Sequence, residues 1–278
     1  MLLITGATGT LGQALARICH IRGLECALLN RAELDIAEPA AVATALAHYR
    51  PWAVVNAAGY VRVDDAETDA ERCFRENTAG PAALAAACAE AGLPLLTFSS
   101  DLVFDGQLDR PYLETDSTNP LNVYGQSKHR AEQQVLAAHP QALVVRTAAF
   151  FSSWDPHNFV YHVVQAGRAE RPFPAIDDVR ITPTYVPDLV NNALDLLLDE
   201  AHGIWHIANP SVCTWAELAV AAAETAGLNP AFVEPRPLAT FELVAARPRF
   251  SALGSVHGLQ LPPLDDALGR CLADIDRN

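Results

Sequence analysis

Short apolar runs alternate with longer segments of helical periodicity over the first half of the chain. Each apolar run closes on a small or polar residue, as buried parallel strands do, while the longer segments repeat apolar residues at helical spacing. The predicted strands are 2–5, 24–29, 53–56, 93–99 and 143–147. The predicted helices between them are 11–22, 39–49, 70–91 (bent at Gly80-Pro81) and 124–138.

This alternation predicts an α/β fold with a doubly wound parallel Rossmann sheet, because strand–helix–strand units form right-handed crossovers. Beyond about residue 150 the pattern loosens: helices are predicted at 188–198 and 215–226, a strand at 204–208, and short elements and loops in the proline-rich C-terminal part. We expect a Rossmann domain over 1–150, its sheet completed by parts of 176–208. Residues 151–278 are expected to form mainly a smaller, interleaved C-terminal substrate lobe.

Composition excludes several classes of protein. Of the 278 residues, 50% are hydrophobic and 19% charged, which excludes a disordered chain. The net charge of −14 argues against nucleic-acid binding. Six scattered cysteines without a CxxC pair predict free thiols in a reducing compartment. With no apolar run long enough for a membrane span, we expect a cytoplasmic monomer or homodimer without a metal, a membrane or a nucleic-acid partner.

Three glycines follow the first predicted strand and open the first helix, with the spacing GxxGxxG. Glycine permits a tight turn and close backbone approach, and a helix N-terminus offers free N–H groups to a pyrophosphate. The motif therefore predicts a dinucleotide site. The residues expected at this end of the cofactor are Gly6, Thr8, Gly9, Thr10, Leu11 and Gly12.

The residues after the second strand bear on which dinucleotide binds. Asn30 and Arg31 stand where an acidic side chain would select a free ribose hydroxyl, and arginine suits a 2′-phosphate. This favours NADPH, with NADH as the alternative if Asp35 reaches the ribose. Further cofactor contacts are expected from Asp35, Ile36, Asn56, Ala57, Ala58, Tyr60 and Asn77.

A tyrosine and a lysine lie four residues apart at the start of a predicted helix, which places Tyr124 and Lys128 on one face. A free phenol has a pKa of about 10, so an acid role near neutral pH benefits from a nearby ammonium group. Ser100 and Asp101 end the fourth strand, at the sheet edge where α/β proteins bind ligands. Tyr124 and Lys128 are therefore candidate acid–base residues.

Together these motifs resemble the extended short-chain dehydrogenase/reductase superfamily and, within it, the dTDP-4-dehydrorhamnose reductase family. The resemblance covers nearly the whole chain, and its most specific part is the block 101–106 before the Tyr-x-x-x-Lys helix. Other matching segments are 56–60, 120–125, 146–147, 158–159, 183–184, 203–206 and 247–248.

The resemblance implies that NADPH reduces the C4 ketone of a nucleotide-linked 4-keto-6-deoxyhexose, in dTDP-rhamnose biosynthesis. Tyr124 would protonate the developing alkoxide, Lys128 would hold the nicotinamide ribose and lower the tyrosine pKa, and Ser100 would hydrogen-bond the same oxygen. Ser100, Tyr124 and Lys128 are thus the implied catalytic residues, and the resemblance also implies that Tyr124 and Lys128 contact the cofactor. The implied substrate contacts are Val61, Ser100, Asp101, Phe104, Asn158 and Arg247.

Departures from the family pattern fall where the substrate is expected. Ser100 replaces a threonine but keeps the hydroxyl, whereas Leu102 replaces a common tyrosine. Residues 148–151 read Ala-Ala-Phe-Phe instead of Ser-Trp-Val-Tyr, and residues 178–182 also differ. These departures indicate a sugar or nucleotide other than the usual one.

Two other functions stay open on the same scaffold, since fold alone does not decide chemistry. A 4,6-dehydratase carries Asp-Glu after the strand-four hydroxyl, and an epimerase usually has small residues there, whereas Asp101 is followed by Leu102. A non-catalytic regulatory subunit that binds cofactor could lose the catalytic set, yet all three residues are present.

Overall fold

The secondary structure of a computed structural model, which describes residues 1–275, follows the alternation expected from the sequence. The strands are β1 Leu2–Thr5, β2 Cys26–Leu29, β3 Ala53–Asn56, β4 Leu95–Ser100, β5 Leu143–Thr147, β6 Phe150–Phe151, β7 Phe173–Ile176, β8 Arg180–Ile181, β9 Thr184–Tyr185, β10 Gly203–His206, β11 Cys213–Thr214 and β12 Val233–Arg236. The α-helices are α1 Thr10–Ile21, α2 Pro39–Tyr49, α3 Ala70–Phe74, α4 Gly80–Ala91, α5 Val123–Ala138, α6 Phe159–Arg168, α7 Val186–Leu198, α8 Trp215–Thr225 and α9 Leu264–Ile275.

The centre of the fold is a parallel sheet of six strands within residues 1–275, in the order β2-β1-β3-β4-β5-β10. Since all six strands run the same way, their carboxyl ends lie at one edge, where ligands bind in open α/β sheets. The predicted fold class, a doubly wound Rossmann sheet, is confirmed.

Apolar side chains alternate between the two faces of the sheet and bury both. Leu2 and Ile4 of β1 belong to a core with Leu15 of α1 and Val190 of α7. Leu3 points to the opposite face, where it shares a core with residues of α2, α4 and α5. Because helices cover both faces of the sheet, residues that point to either face are buried. Every position of such a strand is therefore apolar, which explains the continuous apolar runs in the sequence.

The C-terminal part forms a second core and also contributes to the sheet. Helices α6, α8 and α9 bury Val163, Leu218 and Leu268 in a common cluster. Three pairs of short strands surround it: β6 with β9, β7 with β12, and β8 with β11. Strand β10 pairs with β5, and α7 packs against α1, so part of the later chain belongs to the Rossmann layer. The division into two lobes at residue 150 stays a prediction.

Two features differ from the sequence expectation. The helix predicted over 70–91 is interrupted by a π-helical turn at Arg75–Ala79, one turn before the expected bend at Gly80-Pro81. Helices α6 and α9 occupy regions for which loops or no element were expected. Within residues 1–275, no helix combines the length and the hydrophobicity needed to cross a bilayer.

Candidate active site

The glycine loop forms a cradle at the carboxyl end of β1. Gly6 has a φ of 74°, and a Cβ on Gly12 would lie 2.2 Å from the Gly6 carbonyl oxygen, so both positions require glycine. Helix α1 starts after Gly9, and no side chain of the described residues caps its first N–H groups. A helix N-terminus left open behind a glycine turn fits the pyrophosphate of a dinucleotide.

Arginines and carboxylates gather where the adenosine end of a dinucleotide is expected. Arg31, half exposed, donates to the Glu76 carboxylate. Arg75 donates to Asp35 at 2.9 Å and to Glu38 at 2.7 Å. Hydrogen bonds from the Ala37 amide and from Arg75 lower the pKa of Asp35 against the opposing effect of burial. The carboxylate of Asp35 is thus bonded to Arg75 and the Ala37 amide. The half-exposed Arg31 is the candidate to contact a 2′-phosphate.

Two asparagines predicted to contact the cofactor, Asn56 and Asn77, also make hydrogen bonds within the protein. The buried Asn56 amide accepts from Thr5 Oγ1 at 2.7 Å and donates to Thr97 Oγ1 at 3.0 Å. The buried Asn77 accepts from the Tyr60 amide at 2.8 Å and donates to Ser127 Oγ at 3.0 Å. Both side chains therefore fix the backbone that follows β3, and any cofactor contact they make comes in addition to these bonds.

Tyr124 and Ser100 meet at the carboxyl end of β4. Asn122 caps the N-terminus of helix α5, and its side chain accepts from the Gly125 amide at 2.7 Å. A Cβ on Gly125 would lie 2.2 Å from the Leu102 carbonyl oxygen, so glycine lets the helix end approach the turn after β4. This approach places the half-buried Tyr124 beside Ser100.

The electrostatics around Tyr124 differ from the expectation that Lys128 lowers its pKa. Burial and the neighbouring Asp101 raise the pKa of Tyr124 above its ordinary value, and the hydrogen bond with Ser100 only partly opposes them. Lys128 Nζ donates to the Phe98 carbonyl at 3.1 Å and lies 5.9 Å from the tyrosine ring centre. Burial also lowers the pKa of Lys128 to about 8. Tyr124 therefore keeps its proton at neutral pH, as a proton donor must.

Asp101 is a buried carboxyl group held by two hydroxyls. Ser100 Oγ donates to Oδ1 at 3.0 Å and Ser251 Oγ donates to Oδ2 at 2.6 Å. Burial raises the pKa of Asp101 to about 6 against the effect of these bonds. Sequence reasoning missed Ser251, which lies 150 residues away and carries no local signal.

A cavity of about 490 Å³ opens beside this cluster. Its wall includes Val61, Ser100, Asp101, Tyr124 and Arg247 from the predicted residues. Arg247, the cationic side chain of the described wall, donates to Asp64 at 2.8 Å.

The other two predicted substrate contacts, Phe104 and Asn158, lie outside that wall. Phe104 is fully buried and stacks on Tyr112 with ring centres 4.1 Å apart. Asn158 caps α6 by accepting from the Tyr161 amide at 3.0 Å, and donates to the Ser152 carbonyl at 2.7 Å. Their side chains are taken up by packing and by backbone groups, and a substrate contact of either residue stays a prediction.

These features define a class of protein: a Rossmann-fold protein of the short-chain dehydrogenase/reductase type, with a hydroxyl pair beside a dinucleotide cradle. A family model described as the RmlD substrate binding domain matches residues 1–276. The chain belongs to this family, and the resemblance drawn from its motifs is confirmed.

Relatives and solved structures cover nearly the whole chain. A dTDP-4-dehydrorhamnose reductase of Streptomyces griseus is 37% identical to this chain, over 90% of this chain and 84% of the length of the relative. A probable dTDP-4,6-dihydroxy-2-methyloxan-3-one 4-ketoreductase of Streptomyces antibioticus is 36% identical over 98% of this chain and 95% of its own. The structure of dTDP-4-dehydrorhamnose reductase from Bacillus anthracis in complex with NADP superposes with a TM-score of 0.93, at 29% identity over 98% of both chains.

Proposed function

We propose that this protein is an NADPH-dependent oxidoreductase that reduces the C4 ketone of a dTDP-linked 4-keto-6-deoxyhexose. The observation that carries the proposal is the Ser100–Tyr124 pair in the wall of a cavity at the sheet edge that also carries the glycine cradle. The names of the Streptomyces relatives support this reaction, and the NADP complex of the Bacillus enzyme supports the cofactor. The reaction gives the C4 carbon a hydride and its oxygen a proton.

Bound NADPH supplies the hydride, and the protein groups manage the proton and the charge. Tyr124 donates its phenolic proton to the ketone oxygen as negative charge develops there. The Ser100 hydroxyl orients the same oxygen. Lys128 Nζ lies beside Gly59, where an added Cβ would come within 3.5 Å of it, and we assign it to the nicotinamide ribose of the bound cofactor.

The site favours reduction over the alternative reactions on this scaffold. Leu102 puts hydrocarbon into the cavity wall next to Asp101, at the position where a dehydratase-like glutamate would stand. Asp101 therefore has no second carboxylate beside it in sequence to complete an acid–base pair for water elimination. The regulatory-subunit alternative predicts cofactor binding without turnover, which an assay distinguishes. Cytoplasmic location and a monomeric or dimeric state stay predictions.

The proposal is tested by following NADPH oxidation with dTDP-4-keto-6-deoxyhexoses as substrates. The expected result is stoichiometric formation of the 4-hydroxy sugar nucleotide. NADPH binding without turnover of any 4-ketosugar nucleotide would instead support the regulatory subunit, and product with an unchanged oxidation level would support an epimerase.

Arg247→Ala is expected to raise the KM for the sugar nucleotide about tenfold or more, because we propose that this guanidinium contacts the diphosphate. The KM for NADPH should change little. Arg249→Ala is a matched control, since Arg249 is 72% exposed and lies 3.9 Å from Asp178. Equal changes of both KM values in the Arg247 variant would contradict the diphosphate contact. Arg247 would then have a structural role through its ion pair with Asp64.

Arg31→Ala is expected to reduce the preference for NADPH over NADH, which we set at about tenfold in the parent protein. A 2′-phosphate beside Arg31 gains a charge-assisted hydrogen bond, and the variant loses it. The measurement is kcat/KM for both cofactors, with Arg236→Ala as control because both side chains are 52% exposed. An unchanged ratio of the two kcat/KM values would contradict the contact between Arg31 and the 2′-phosphate.

A further inference from the structure

A short segment after β6 reaches back to the glycine cradle. Residues 152–157, here called the strap, connect β6 to the N-terminus of α6. Within the strap, Asp155 Oδ2 accepts a hydrogen bond from Thr10 Oγ1 at 2.6 Å, although 145 residues separate the two in sequence. Thr10 is the first residue of α1 and directly follows the glycine turn. The strap therefore brings a carboxylate to the helix end that we assign to the cofactor diphosphate.

A second contact holds the strap against the same helix. The Arg17 guanidinium lies over the ring of Trp154, 4.1 Å from the ring centre. A guanidinium over an indole is a favourable cation–π arrangement. Thr10 and Arg17 are seven residues apart in α1, so they lie on one face of the helix about two turns apart. Because Trp154 and Asp155 are neighbours in the strap, the two contacts together align the strap with this face of α1.

The Asp155 carboxylate is also fixed from within the strap. Its Oδ1 accepts from the His157 amide at 2.9 Å, while Oδ2 accepts from Thr10. The Asn158 side chain donates to the carbonyl of Asp155 and, at 2.7 Å, to the carbonyl of Ser152. These bonds order the strap around its own backbone, so the carboxylate is held at Thr10 from both sides.

The position that Asp155 occupies is one that a diphosphate also needs. The first amides of a helix and its dipole attract any anion, whether carboxylate or phosphate. Two anions at one helix end repel each other, most strongly where water is excluded. The Thr10 hydroxyl has a single proton, which it gives to Asp155 and cannot give to a phosphate oxygen at the same time. The carboxylate and the diphosphate therefore compete for this end of α1.

We propose that Asp155 is an internal competitor of the cofactor, and that the strap releases Thr10 when the diphosphate enters the glycine cradle. This inference rests on the cofactor part of the proposed function. The bond between Thr10 and Asp155 is lost on binding, so the closed strap lowers the affinity for the dinucleotide. The apparent Kd rises in proportion to the fraction of molecules in which the strap is closed.

The test measures the Kd values of two cofactor fragments by calorimetry for the parent protein and for Asp155→Asn. ADP-ribose carries the diphosphate, whereas 2′-AMP carries the adenosine end and a 2′-phosphate without a diphosphate. We expect the variant to bind ADP-ribose about tenfold more tightly, because the charge-assisted bond gives way to a weaker neutral one and the repulsion disappears. The Kd of 2′-AMP should not change. Asp155→Ala should act in the same direction.

Asp199→Asn is a matched control, because it removes the same charge at an exposed position. Asp199 follows α7 and precedes β10, so it lies at the amino edge of the sheet, opposite the glycine cradle. Its substitution should leave both Kd values unchanged. Thermal unfolding checks that each variant folds, and Asp155→Ala carries the test if the asparagine variant does not.

Unchanged or weaker binding of ADP-ribose in both Asp155 variants would overturn this inference and leave the reductase function standing. Equal tightening of ADP-ribose and 2′-AMP would also overturn it, because competition for the diphosphate cannot act on a fragment that has none. If neither the parent protein nor the variants bind NADPH or ADP-ribose, the proposed cofactor is wrong, and this inference fails with it.

Discussion

Tyr124→Phe is expected to lower kcat by about 10²-fold or more, the range of a general acid, while NADPH binds as before. The phenol is the protonated group beside Ser100, and phenylalanine keeps the ring and removes the hydroxyl that carries the proton. The measurements are steady-state kcat with the ketosugar nucleotide and the NADPH Kd by fluorescence titration. Tyr49→Phe is a matched control, since Tyr49 ends α2 and contacts His48 by its ring edge.

A second substitution separates the acid from its neighbour. Ser100→Ala removes the hydroxyl beside Tyr124 and should lower kcat less than loss of the phenol, since the proton donor remains. Near-normal turnover in Tyr124→Phe would assign the proton to another group, with Asp101 the first to examine because its pKa of about 6 lets it carry a proton.

Glu132→Ala is expected to lower the free energy of unfolding by about 3–5 kcal/mol, the usual cost of leaving one half of a buried ion pair alone. Glu132 and Arg146 are 4% and 3% exposed and form a two-pronged pair, with bonds of 2.8 and 2.7 Å. Glu132 also accepts from Ser99, which precedes Ser100 in β4. Denaturant unfolding followed by tryptophan fluorescence measures the change.

The double variant Glu132→Leu/Arg146→Met tests the cause of that loss. Replacing both charges with apolar side chains removes the uncompensated charge, so stability should recover most of the way. A double variant as unstable as Glu132→Ala would show that packing, rather than the unpaired arginine, sets the cost.

The fold was predictable because it follows from local pattern. Buried parallel strands are apolar on both faces, which separates them in the sequence from the helices that follow. The observed bounds of β1, α2, β3 and β5 therefore match the predicted ones. Helix α9 was also within reach of sequence reasoning. Its buried residues repeat at helical spacing, but the prolines before it obscured the pattern.

The site was predictable only in part, because its finer contacts join distant parts of the chain. The glycine turn and the Tyr-x-x-x-Lys pair are local motifs that sequence can show. Ser251 reaches Asp101 across 150 residues, and Arg75 reaches Asp35 across 40, with no periodicity to link them. The direction of the Tyr124 pKa likewise depends on burial, which spacing does not reveal.

The π-helical turn at Arg75–Ala79 has a consequence for how this chain can evolve. On one side it sends Arg75 to Asp35, and on the other Thr78 donates to the Ser127 carbonyl of α5 at 2.7 Å. A π-turn holds an extra residue compared with a regular α-helical turn. A one-residue deletion here would restore an ordinary helix and rotate one anchored end away from its partner. A change in the length of this segment therefore costs one of these two contacts, and its side chains at Arg75, Asn77 and Thr78 are constrained by their own bonds.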